Sequence, residues 1–338
     1  MHKWPSILVL VVISLGCREA GPTALEAREI GVIEQDGAIE GRDGGTSALA
    51  WGRSIWTYGD TVLTLSDELG QNWHHNSFAW TEDLDAGDGI DGFVAPVDSV
   101  GAPLHLIAPS PDEQAFNDAH RDQGDGSCDQ QPCGARWAVW PGEPVWDEEG
   151  ARALIFYSLI YAEPGDFNFE SVGSSIAVWT DPEGLPERPV IDAGAEHPDL
   201  LWAAGEPGWG LGTQVVDGML YTFACDGGDG VGHDCRLARV EPARIHELAA
   251  WRYWDGKGWG SDAGDAEVLF PGAPIMSVAY NDHLGAWLAV YSTPFSSEIV
   301  GRTAPALTGP WSREGLLYDA GEDTPYDAVA HVEYEAED

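Results

Sequence analysis

The sequence predicts an all-β protein, a five-bladed β-propeller whose last blade is incomplete at the C-terminus. A strand rich in aromatic and β-branched residues recurs four times, at Ser54–Tyr58, Ala153–Tyr157, Met219–Phe223 and Trp287–Tyr291. A strand built around Ala or Gly follows each of them, at Ser77–Thr81, Ser175–Trp179, Arg236–Val240 and Ile299–Thr303. Such recurrence, at intervals of roughly 65 to 100 residues, suits meander blades separated by long decorated loops. With 43% hydrophobic residues, 42 Gly, 22 Pro and no convincing stretch of helical period, the chain can bury one large β core.

The blades follow in order. Blade one is expected from about Gly41 to Gly92, blade two from Gly134 to Pro189, blade three from Pro207 to Ile245 and blade four from Pro274 to Trp311. Blade five starts near Tyr326 with a strand over Val329–Glu335, and the sequence stops where its turn is due. Either ~20–40 residues are missing there, or Glu29–Ile33 supply a closing strand, since an unpaired edge is a liability. Long polar loops cover residues 82–92, 110–135 and 255–267, and loops beyond about 12–15 residues are usually functional or mobile.

Residues 1–16 read as a lipoprotein signal peptide: Lys3, an apolar run from Ile7 to Ile13, then Ser14-Leu15-Gly16 before Cys17. The run is too short to span a bilayer as a mature helix. Ser14 stands where an aliphatic residue is usual in this signal. Cys17 is then the lipidation site, residues 17–40 a tether and possible closing strand, and residues 41–338 the propeller domain. The expectation is an exported monomer, lipid-anchored to the outer membrane or held in the periplasm or at the cell surface. It meets the membrane through its anchor only. Setting Cys17 aside leaves Cys128 with Cys133 and Cys225 with Cys235 as short-range disulfides, which agrees with export.

Formal charge is −41, and −42 once Lys3 leaves with the signal. A chain this acidic repels phosphate backbones and anionic membranes, so nucleic acid is excluded as a partner. The run Asp83–Asp91 resembles a calcium loop only loosely, and a solvated acidic loop is the default reading. No metal site and no cofactor are expected; calcium at that loop is the one alternative.

In a propeller blade, the residue before the inner strand and the residue after its return partner share one mouth. With an inner strand at Thr46–Ala50 and its return at Ser54–Tyr58, Asp43 and Asp60 meet there. Glu143 ahead of the blade-two inner strand reaches the same face, and Asp226 and Asp327 are further candidates to join it. Asp43, Asp60 and Glu143 are therefore the candidate catalytic carboxylates, because glycosidic cleavage needs one carboxyl to protonate the leaving oxygen and another to attack or activate water. Trp140, Trp209, His74, His75, Asn76 and His331 are candidate substrate-binding residues on the same face, since sugars stack on aromatic rings. Asp-Gly segments also make turns unaided, and a satisfied core histidine is the plainer reading of His331.

Several segments together resemble a known family. They are Gly41-Arg42-Asp43-Gly44-Gly45 with Ser47, Trp56 with Tyr58-Gly59-Asp60-Thr61, Asn76-Ser77 with Thr81, Tyr253-Trp254-Asp255-Gly256 with Gly258-Trp259, Met276–Asn281 and Thr308–Ser312. In this order they are similar to a bacterial five-bladed propeller family, long known as a domain of unknown function, that includes endo-D-arabinanases acting on mycobacterial arabinan. The resemblance implies a glycoside hydrolase cleaving a furanose-containing polysaccharide, with Asp43 and Asp60 as its paired acids. Glu143 rests on geometry alone. The competing reading is a non-catalytic glycan-binding or scaffold propeller. A sialidase-like reading draws on Ser66–Trp73, which approximates an Asp-box turn, but appears in one copy on a chain ill-suited to anionic sugars.

Overall fold

Short turns fix the hairpins from which each blade grows. Between β1 (Ile39–Ala50) and β2 (Arg53–Leu63) the two connecting residues, Trp51 and Gly52, have φ of 51° and 75°. Between β9 (Leu211–Val216) and β10 (Met219–Asp226), Asp217 and Gly218 have φ of 49° and 74°. Two successive left-handed residues match the twist of the flanking strands, the usual two-residue hairpin geometry. The computed structural model describes residues 20–24, 26–165, 167–227 and 233–334.

Four antiparallel sheets result. In the first, β1 pairs with β2, and β2 also pairs with β3 (Trp73–His74) and β4 (Ser77–Thr81). The second runs β5 (Arg136–Asp147), β6 (Arg152–Ala162), β7 (Phe169–Trp179) and β8 (Trp202–Ala203). The third runs outward from β9 through β10 and β11 (His233–Val240) to β12 (Arg252–Trp254) and β13 (Trp259–Gly260), with β14 (Phe270–Gly272) also on β11. The fourth runs β15 (Ser277–Asn281), β16 (Ala286–Ser292), β17 (Glu298–Ala304) and β18 (Gly315–Asp319). Blade three thus extends to Gly272, well past the expected end at Ile245.

The inner strands meet in sequence, β1 with β5, β5 with β9, β9 with β15, so the sheets stand around a common axis. Apolar faces of neighbouring blades fill the wedges between them. Ile55 and Phe78 pack with Ile155 and Trp179, Phe156 and Trp202 with Leu220 and Trp251, and Phe223 and Phe270 with Tyr291 and Trp311. Most of these side chains are removed from water, each contributing roughly 1.5–3 kcal/mol.

The expectation of five blades is corrected to a propeller of four blades, with no fifth sheet among the described residues. Within the described part of Val329–Glu335 there is no strand, only a single 3₁₀ turn over Val332–Tyr334. Side chains rather than a ladder hold this segment between blades four and one. Ala328 N donates to Ser292 Oγ (2.9 Å) and Ala330 N to Ser277 Oγ (2.7 Å). Across the gap His331 Nδ1 lies 2.6 Å from Ser47 Oγ, and Glu333 Oε1 accepts from Ser47 and Ser54 at 2.5 and 2.6 Å. Glu29–Ile33 do not form the alternative closing strand either. They are extended coil, of which Ile33 packs against the Trp56, Tyr58 and Ala79 cluster.

One helix interrupts the β pattern. Pro111–His120 (α1) forms in the long loop 110–135 because Ser110 and Glu113 cap each other's backbone N–H groups and Pro111 occupies the first turn. Arg188 ties it down through Glu113 (2.6 and 2.7 Å) and Asp199 (2.6 Å). Both expected disulfides are present, Cys128–Cys133 in this loop and Cys225–Cys235 as a cross-strand pair of β10 and β11. Cys17 and the signal peptide lie outside the described residues. Among those residues no helix is long and apolar enough to cross a membrane.

Candidate active site

Asp43 sits in a distorted stretch of β1, where the register against β2 shifts on both sides of Gly44. Such bulges re-aim side chains. Here the carboxylate lies over Gly59, where a Cβ would collide with its Oδ1. Asp60, the next residue of β2, lines the same cleft and feels the charge of Asp43. The expectation that these two acids share one mouth is met. Asp327 joins them from the closing segment, with its backbone in the left-handed region at φ 59°.

All three line one cleft of about 580 Å³, together with Trp140, Arg136, Trp73, Glu163, Phe167, Phe169 and Tyr326. Trp140 Nε1 donates to Asp60 Oδ1 at 3.1 Å, and its ring meets Phe169 edge-on with centroids 4.9 Å apart. Arg136 lies over the Trp73 ring, 4.2 Å from its centroid. Trp140 thus stands where the sequence placed it, as an indole wall of the cleft.

Electrostatics separate the acids. Burial pushes Asp60 up to about 6, the indole N–H opposes this, the Asp43 charge adds to it and Arg136 offsets part of it. Asp327 is pushed up to about 7, chiefly by burial and then by Asp43. Asp43 is itself raised by the protein around the funnel floor although its side chain is solvent-accessible, but the backbone N–H groups of Asp60 and Asp43 favour its ionised form. Asp43 is therefore the charge to which both neighbours respond, and they hold their protons to higher pH.

The other predicted residues lie elsewhere. Glu143 does not reach the mouth: β5 begins at Arg136, so Glu143 falls within the strand, at the register shift between Pro141 and Pro144. It faces Glu333 in the interior, and burial with that neighbouring carboxylate raises it well above the usual carboxylate range. Asp226 is paired with Arg236 (3.0 Å) in an adjoining hollow of about 420 Å³. Trp209 is not a rim platform but a core side chain, 3% exposed and packed against Tyr253.

His74, His75 and Asn76 are also interior, which corrects their placement on the rim. Asn76 spends its amide on the backbone, donating to Ile107 and Val139 carbonyls and accepting from Ile107 N. His75 Nδ1 accepts from Val139 N, and burial pulls its pKa down to about 4. His105 stacks between the two histidines, with ring centroids 4.2 and 4.3 Å away. His74 Nε2 lies 3.0 Å from Asp67 Oδ2. His331 stacks on Trp56 at 4.2 Å and contacts Ser47, so it serves the closing segment.

The acidic loop is folded on itself. Asp83 accepts from the N–H groups of Asp85 and Asp91, and Asp85 from that of Gly87. Among the described residues no group of three or more His, Cys, Asp or Glu side chains is arranged to hold a metal ion. Sequence reasoning missed Arg136, Tyr326 and the two phenylalanines of the cleft. An apolar ring among Pro, Gly, Asp and Asn at 164–169 was the signal for the latter.

Fold and site together define a four-bladed β-propeller with a carboxylate-lined cleft at one end of its axis. The family described as "Domain of unknown function (DUF4185)" matches residues 195–331, which include Asp327 but neither Asp43 nor Asp60. No curated protein matches the sequence. A putative hydrolase from Bacteroides ovatus superposes with a TM-score of 0.52 at 13% identity, over 87% of this chain and 74% of that one, which is a likeness of fold. An α-L-arabinofuranosidase from Clostridium thermocellum (TM-score 0.44, 14% identity, 84% and 75% covered) is also similar. So is a family 117 glycoside hydrolase from Zobellia galactanivorans (0.45, 11%, 84% and 72%).

Proposed function

We propose that this protein is a glycoside hydrolase that cleaves a furanose-containing polysaccharide, working as an exported lipoprotein anchored through Cys17. The observation that carries the reading is the convergence of Asp43, Asp60 and Asp327 on one aromatic-walled cleft, with two of the acids pushed up to about 6 and about 7. Displacement at an anomeric carbon needs a proton donor and an anionic partner side by side, and environments that drive carboxyl pKa values apart create that pair. Two disulfides support export.

Asp60 is assigned as the acid. Trp140 occupies its Oδ1, so the proton of the neutral carboxyl sits on Oδ2. That proton passes to the glycosidic oxygen as its bond to the anomeric carbon breaks. Asp43, ionised, supplies the electron pair to that carbon, directly or by taking a proton from the attacking water, so that one water is consumed per bond cleaved. Asp327, pushed up to about 7, keeps its own proton at the pH below about 6 where Asp60 is the acid, and adds no second negative charge there. The resemblance in sequence to endo-D-arabinanases points to arabinan as the first substrate to try.

The test is reducing-sugar release from arabinan by the full chain, compared with Asp43→Asn and Asp60→Asn. Turnover that drops about 10²–10⁴-fold in each variant, with unchanged circular dichroism, supports the assignment. Full turnover in both would sink it, and tight glycan binding without any turnover in the parent protein would leave a binding propeller instead.

A further inference from the structure

The described residues include six non-glycine positions with positive φ, and they fall into two groups. Trp51, Ala151 and Asp217 lie in the turns between the first two strands of blades one, two and three. Of the other three, Phe167 and Asp327 line the cleft that carries the carboxylates, and Phe295 lines a neighbouring hollow that includes Asp327. For a residue as bulky as phenylalanine this conformation is a genuine outlier, and strain of this kind gathers at ligand sites.

Neither phenylalanine gains anything from folding. Phe167 is 91% exposed and Phe295 92%, each at the tip of a connection between the second and third strands of its blade, blade two and blade four. Beside Phe295 is a hollow of about 370 Å³ whose lining includes Ala273, Pro294 and His233, and it shares Pro274, Ile275, Tyr326 and Asp327 with the carboxylate cleft. The two spaces are therefore neighbours across those four residues, and each falls in the ~300–1,000 Å³ range of small-ligand sites. Phe167 lines the cleft with Asp43, Asp60 and Asp327, and Phe295 lines the neighbouring hollow that Asp327 shares.

We propose that Phe167 and Phe295 are the two jaws of one extended groove that binds an uncharged, linear oligosaccharide across the carboxylates, with sugar rings stacked against each tip. This rests on the glycosidase reading and deepens it, since a chain held on both sides of the acids is cut internally. An anionic sugar is disfavoured because the cleft offers four carboxyl groups, with Glu163 the fourth, against the single guanidinium of Arg136, and a neutral glycan is the ligand proposed. Sugar CH faces are the chemistry that an exposed, rigid phenyl ring recognises.

The experiment uses the full chain carrying Asp43→Asn, titrated calorimetrically with arabinofuranose oligomers of increasing length and, in parallel, xylose oligomers. Affinity should climb with length past the oligomer that fills the cleft alone. Phe167→Gly and Phe295→Gly in that background should each flatten the climb and weaken the longest oligomer about tenfold. Because glycine relieves the positive φ, both variants should melt at or above the parent temperature, which mere loss of structure would not produce. Length dependence identical to the parent in both variants, or no binding by either oligomer series, overturns the proposal. Binding that depends on both rings in a protein without hydrolysis leaves the groove standing and removes the glycosidase reading. Hydrolysis with affinity indifferent to the rings does the reverse.

Discussion

The indole N–H of Trp140 donates to Asp60 Oδ1 at 3.1 Å, joining the inner strand of blade two to the second strand of blade one at the cleft. That bond favours the ionised carboxylate, while burial and Asp43 favour the neutral one and prevail. Removing the donor with Trp140→Phe keeps an aromatic wall and leaves the opposing influences alone. The pKa of Asp60 should rise, and the alkaline limb of the pH profile of kcat/KM should move to higher pH. A limb that stays in place would show that Asp60 is not the group titrating there.

Activity requires Asp43 ionised and Asp60 protonated, so kcat/KM should fall as pH rises through about 6, the value to which Asp60 is pushed. Arg136 offers a second handle on the same group. Its positive charge lowers Asp60, so Arg136→Met should carry the alkaline limb upward. Initial rates on arabinan from pH 4 to 9 for the parent and this variant check both statements.

Asp327 couples function to stability with a definite sign. Its carboxyl is raised to about 7 in the folded protein against an ordinary value near 4, so between those pH values the folded state binds more protons than the unfolded one. The stability contribution of this group is then greatest below pH ~4 and declines as pH rises through about 7. Asp327→Asn should therefore be more stable than the parent at pH 8, by about 1–2 kcal/mol after solvent screening is allowed for, and indistinguishable from it at pH 4. Urea unfolding at the two pH values measures this.

Asp43 and Asp60 were legible because the two-residue turn Trp51-Gly52 carries positions equally far from it to the same end of the hairpin, although both lie inside strands longer than the pattern marked. Glu143 was misread since a bulge is invisible to a period-two reading: β5 starts at Arg136, and the shift at Pro141–Pro144 turns Glu143 inward. The fifth blade failed for a related reason. Val329–Glu335 has strand-like spacing, yet over its described residues Ala330, His331 and Glu333 bond to the side chains of Ser277, Ser47 and Ser54, not to a neighbouring strand. Helix α1 was overlooked although Ser110-Pro111-Asp112-Glu113 carries a complete start signal, because a single short helix in a polar loop leaves little apolar period.

The cross-strand disulfide Cys225–Cys235 closes the loop that separates β10 from β11, next to Asp226 and its partner Arg236. Its chain-entropy contribution for a loop of this length is about 2–3 kcal/mol. The double variant Cys225→Ser, Cys235→Ser should lose roughly that much in denaturant unfolding. Cys128–Cys133 encloses a shorter exposed loop and should contribute less when replaced in the same way.

Ser47 is the hinge on which the sheetless sector depends. Its hydroxyl has one hydrogen and two partners, His331 Nδ1 at 2.6 Å and Glu333 Oε1 at 2.5 Å. Ser47 donates to Glu333, so the count closes only if His331 Nδ1–H donates to Ser47. Ser47→Ala breaks both links at once and leaves Glu333 with Ser54 alone, in a place where its Oε2 already has no partner. The blades should stay folded, since their apolar wedges do not involve this hydroxyl, while amide exchange over residues 326–334 should quicken about 10–100-fold, the equivalent of ~1–3 kcal/mol. Because Asp327 rides on that segment, turnover should fall with it, and unchanged exchange alongside full turnover would show that the serine does not hold the sector shut.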